Sequence, residues 1–175
     1  MAFLFDVFTC LILSVIIIQD AKQRQIHWVL IPLLLLSILP SAFSQHSFLQ
    51  TSKLFAINLG FLLLQLALLF VFFSVKNRTL PTIINTYIGL GDILLFLVLC
   101  AAFSPLNFLF FYSGSLLLSL AGYRLYRLIK ADPDPTVPLA GTVSLCLVLA
   151  LGLKYFFHYD FYDDSPILSL MGASA

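Results

Sequence analysis

The stretch LFAINLGFLLLQLALLFVFFSV, Leu54 to Val75, runs for twenty-two residues without a charge. As a helix rising 1.5 Å per residue it would measure about 33 Å, enough to cross the roughly 30 Å hydrocarbon core of a bilayer. It does not alternate apolar with polar residues, as a strand of a membrane barrel would. The rest of the chain has the same character. Of 175 residues 61% are hydrophobic and only 10% charged, against about 25% charged in an ordinary soluble domain. Neither a soluble globular protein nor a disordered chain fits this composition. The net charge of +1 leaves no nucleic-acid footprint.

Working outward from Leu54–Val75, apolar stretches of span length predict an all-α polytopic membrane protein with six transmembrane helices. The first span runs from Phe3 to Gln19 and the second from Ile26 to Phe43. The fourth begins near Asp92 and weakens at Ser104-Pro105, so it is short; the fifth covers Phe108 to Leu125 and the sixth Leu139 to Phe157. Residues 1–157 form this six-helix core, and residues 158–175 a short extracytoplasmic tail carrying Asp160, Asp163 and Asp164. Loops after odd-numbered spans hold Lys22, Arg24, Lys76, Arg78, Arg124, Arg127 and Lys130, against Lys53 and Lys154 on the other side. That bias makes those loops cytoplasmic and both termini extracytoplasmic. Asp6 stands where a cleavable signal would be basic, so the first span is expected to remain as an anchor. Cys10, Cys100 and Cys146 lie in apolar runs with no CxxC spacing, so neither a metal site nor a disulfide framework is expected.

Ionisable residues beside apolar runs are the first place to look for function in such a chain. Asp20 closes the first span, and Asp92 opens the fourth within YIGLGDILLF, Tyr87 to Phe96. Two crossings separate them, so both acids belong to the same side of the membrane. Neighbouring carboxylates can share one proton, one activating water while the other donates to a carbonyl. Taken alone, Asp20 reads first as a solvated interfacial charge beside Lys22 and Arg24, and Asp92 also reads as a helix N-cap. Gly89 and Gly91 allow close backbone approach and unusual φ/ψ, as a turn presenting an acid would need.

Gly89-Leu90-Gly91-Asp92 matches the GxGD signature of intramembrane aspartyl proteases. Asp20-Ala-Lys-Gln-Arg24-Gln-Ile26 resembles the Asp-x-x-x-Arg-x-Ile stretch of type IV prepilin peptidases and preflagellin peptidases, and Val137-Pro138-Leu139-Ala140 is similar to that family's late Ile-Pro-Phe-Ala/Gly segment. The resemblance implies a catalytic pair, Asp20 and Asp92, at the cytoplasmic side, supported by Gly89, Gly91 and Arg24. It departs from the family at His27-Trp28, where Pro-Asn is usual, and at Leu94, where Lys is frequent.

The implied activity is cleavage of the basic leader from prepilin or pseudopilin substrates at the cytoplasmic boundary of the inner membrane, with no cofactor. Larger members carry a cytoplasmic segment with paired CxxC motifs and methylate the new N-terminus; this chain resembles the small stand-alone form, from which cleavage alone is expected. The alternative is a non-catalytic six-span transporter subunit or pilus-assembly scaffold in which Asp20 and Asp92 bind a proton or cation. The Gly-x-Gly before Asp92, which an ion site does not require, separates the two.

Overall fold

A computed structural model describes residues 2–23, 25–45, 47–77, 89–129 and 139–170. Among these, every regular element is a helix: α1 (Ala2–Gln23), α2 (Leu30–Gln45), α3 (Phe48–Asn77), α4 (Leu90–Leu99), α5 (Pro105–Ile129), α6 (Leu139–Phe157) and α7 (Ser165–Leu170). Four of them contain segments long and apolar enough to cross a membrane: Phe3–Gln23, Phe48–Lys76, Pro105–Leu125 and Leu139–Phe157. Large apolar side chains such as Leu4, Leu36, Leu68, Val75, Leu117 and Phe156 are exposed on the outside of the bundle, as helices solvated by lipid require. The chain is therefore a multi-pass helical membrane protein.

The expected second and fourth spans are present as shorter helices. The segment His27-Trp28-Val29 forms a turn, in which Leu30 N–H donates to the His27 carbonyl at 2.9 Å, so α2 starts four residues later than the apolar run does. Pro32 falls in its first turn, where an N–H would have no helical partner; Pro40 lies inside the helix. α4 has only ten residues. By contrast α3 extends over thirty, beyond both ends of its apolar stretch, and α5 starts with Pro105 at its first position behind Ser104, the placement proline prefers. α6 has the bounds expected from the sequence.

The centre of the bundle is the antiparallel pair α1 and α6, with α2 on the other side of α1. Leu13, Ile16, Leu34, Leu95, Leu99, Phe108 and Val143 are fully buried between these helices and their neighbours. Thr9 of α1 donates to the Ser37 hydroxyl of α2 at 2.9 Å, and Ser37 to the Leu34 carbonyl at 2.8 Å. Such small polar contacts join helices where lipid supplies no hydrophobic drive. Aromatic rings secure the short helix laterally: Phe96 of α4 meets Tyr112 of α5 edge-on with centroids 4.7 Å apart, and Phe61 of α3 meets Phe108 and Tyr112.

After Phe157 the chain reverses. His158 takes a left-handed conformation (φ 52), and Tyr159 N–H returns to the Lys154 carbonyl at 3.0 Å, closing the end of α6. The tail does not trail away from the bundle: residues 159–164 pack back against the α4–α5 junction before α7 begins.

Candidate active site

Asp20 sits in the last turn of α1, and its side chain is buried. Its Oδ2 accepts the backbone N–H of Gly141, in the first turn of α6, at 2.6 Å. No larger residue fits at Gly141 without movement, because an added Cβ would stand 2.9 Å from that oxygen and 3.3 Å from the Asp20 Cβ. The approach is possible because the first amides of a helix have no intrahelical acceptor and point outward as donors. They also carry the positive end of the helix dipole.

Asp92 occupies the first turn of α4 and is half-buried. The backbone amides of Gly89 and Ala140 face its carboxylate, which lies within electrostatic range of Asp20. Ala140 and Gly141 are consecutive, so a single helix N-terminus receives both acids: one from the end of α1, one from the start of α4. Each acid is delivered by a helix terminus rather than a helix middle, which keeps both at the same end of the bundle.

The two glycines before Asp92 act differently from the expected turn. Gly89 is the N-cap residue of α4 with φ −65 and ψ 138, an extended conformation open to any residue, so a left-handed turn is not what calls for glycine there. Space is the reason. A Cβ on Gly89 would lie 2.9 Å from Asp92 Oδ2, and one on Gly91 would lie 3.2 Å from Ile26 Cδ1. Ile26 thus packs onto Gly91, bringing the segment that follows Asp20 against the one that contains Asp92. His27 N–H donates to Gln19 Oε1 at 3.1 Å and folds that segment back over α1. Trp28 is exposed, while Leu94 is half-buried against the core. Arg24, Val137 and Pro138 lie outside the described residues.

Gly141 was not among the expected site residues. Its signal in the sequence is its place immediately after Val137-Pro138-Leu139-Ala140, where a small residue starts the last span. A second buried acid was also missed. Asp6, about 21 Å from Asp20 along α1 at 1.5 Å per residue, meets Lys154 of α6 with Nζ to Oδ2 at 2.8 Å, and Tyr155 donates its hydroxyl to the same oxygen at 2.5 Å. The clue was register: Asp6 precedes Asp20 by fourteen residues and Lys154 follows Gly141 by thirteen, the offsets of an antiparallel pair.

Two carboxylates held by backbone donors at one helix end can hold one proton between them and present an acid and a base to a bound molecule. Compared with protein-family models, curated proteins and solved structures, the chain matches none.

Proposed function

We propose that the chain is an intramembrane aspartic endopeptidase that removes the leader of prepilin-like substrates at the cytoplasmic boundary of the inner membrane. The observation that carries this reading is the meeting of Asp20 and Asp92 at the N-terminus of α6. In the proposed reaction one carboxylate takes a proton from water, whose oxygen attacks the scissile carbonyl, while the other carboxyl protonates the carbonyl oxygen. Collapse of the tetrahedral gem-diol breaks the C–N bond, the proton gained by the first acid passes to the leaving amine, and one diol hydroxyl returns its proton to the second carboxylate, which restores the pair. The substrate's apolar helix remains in lipid and its basic leader in the cytosol, which sets the bond at the depth of the pair.

The topology that goes with this reading is six crossings, with α2 and α4 as the short ones, both termini extracytoplasmic, and Lys22, Lys76 and Arg124 on the cytoplasmic side. A cation or proton carrier is the weaker reading. Amide N–H groups directed at the carboxylates engage lone pairs that a cation would need to coordinate.

Co-expression with candidate prepilins is the test, with leader removal read as a gel shift. Processing by the wild-type chain and none by Asp92→Asn is the expected result; equal processing by both would end the assignment.

A further inference from the structure

α4 is the shortest of the six helices of the expected spans, and it carries half of the acid pair. Its ten residues rise about 15 Å, whereas the nineteen of α6 rise about 28 Å. Because the two helices start level, at Asp92 and Ala140, α4 ends roughly halfway along α6. The turn that follows, residues 100–104, is buried part-way along α6, at mid-depth if α6 crosses the bilayer, with Cys100 and Ser104 almost wholly enclosed. Backbone groups at that depth have no water to satisfy them.

The turn is satisfied from two distant parts of the chain. Asn58 of α3, itself buried, donates both amide hydrogens, to the Cys100 carbonyl at 3.0 Å and the Phe103 carbonyl at 2.8 Å. Tyr162 of the returning tail donates to the Ala101 carbonyl at 3.1 Å, and the Phe161 carbonyl accepts Ser104 N–H at 2.9 Å. Asn107 binds the tail through the Phe161 and Asp163 carbonyls, while Asp164 accepts the Ser104 hydroxyl.

We propose that Tyr162 and Asn58 are positioning residues for Asp92, setting through the buried 100–104 turn the axial place of the short helix that carries it. A full-length span is fixed in depth by the two membrane surfaces; α4 meets only one, so its depth is set by the hydrogen bonds at its inner end. The placement of Asp92 rests on this geometry alone, and its effect on cleavage rests on the peptidase reading.

Cross-linking separates the two. In protein with Cys10, Cys100 and Cys146 replaced by Ala, Asp20→Cys and Asp92→Cys are introduced together, and disulfide formation under an oxidant is timed in reconstituted bilayers. Tyr162→Phe, which removes one hydroxyl, and Asn58→Leu are each expected to slow it about fivefold, as supporting contacts hold a site to within about half an ångström. Ser169→Ala, exposed on α7, leaves it unchanged. In the otherwise native chain Tyr162→Phe lowers kcat about fivefold with KM within about twofold. Unaltered cross-linking in both variants overturns the proposal, even where the native chain cleaves prepilin. Slowed cross-linking beside a native chain that cleaves no prepilin upholds it and removes the peptidase reading instead.

Discussion

The antiparallel pair of α1 and α6 buries a carboxylate at each end, and the two ends treat it differently. At the Asp6 end the charge is met by an ammonium, Lys154 at 2.8 Å, and by the Tyr155 hydroxyl. At the Asp20 end it meets the backbone amide of Gly141 and stands near a second carboxylate, Asp92. An acid matched by a base of equal and opposite charge is tied up in holding the helices together. An acid that accepts a backbone amide beside another acid has a neighbour with which it can share a proton. Burial alone does not distinguish them; the partners do.

The contrast breaks most sharply at the carboxylates themselves. Asp20→Asn and Asp92→Asn are each expected to lower leader cleavage by about a thousandfold or more, since members of a catalytic unit fail together rather than by parts. Both variants should still insert and elute as the wild type does. Single-variant activity near wild type would remove the pair from the mechanism.

Asp6→Asn and Lys154→Met test the opposite prediction. Removing one partner strands a buried charge and is expected to destabilise the fold by about 3 kcal/mol, whereas Asp6→Leu combined with Lys154→Met recovers most of the loss. Denaturant titration in detergent checks the stabilities, and cleavage per folded molecule should stay within about twofold of wild type. A loss of turnover without loss of stability would show the Asp6 end to be chemical too.

Gly141→Ala sharpens the comparison by leaving every charge in place. The new Cβ displaces the Asp20 carboxylate from its amide, so cleavage should fall about tenfold to a hundredfold, with little change in expression. Gly91→Ala meets the Ile26 side chain no closer than 3.2 Å and should have a smaller effect. Normal turnover in Gly141→Ala would mean that the amide does not set the acid's position.

The smallest expected effect is at His158, where the backbone is left-handed. His158→Gly should stabilise the protein by about 1 kcal/mol and leave cleavage unaffected, because glycine adopts that conformation without the clash of a side chain. Thermal unfolding in detergent measures it.

Helical class, the bounds of α6 and the nearness of Asp20 and Asp92 were legible because they follow from the length and order of the apolar runs. The short α2 was not, since a turn at His27-Trp28-Val29 leaves no mark in an apolar pattern. Of the two reasons expected for Gly89, close approach holds and an unusual φ does not: a glycine demanded by a neighbour's carboxylate looks in sequence like one demanded by its own φ. Asp6 was passed over because an acid near the start of a span reads as a topology feature, while its partner lies at the far end of the chain. The role of the tail was invisible for the same reason. Polar residues after the last span look like an extramembrane appendage until the carbonyls they serve are located.

The buried 100–104 turn also constrains how the molecule is made. Its partners arrive at different times: Asn58 precedes it in the chain, but Phe161 and Tyr162 follow by nearly sixty residues. At about 5–20 residues per second, several seconds of synthesis separate the emergence of α4 from that of the residues that close over its inner end. Through that interval the Ala101 carbonyl and the Ser104 N–H lack the partners that the tail later supplies. A chain shortened to end before residue 160 would thus keep all its long helices and lack the two tail groups that pair with the turn.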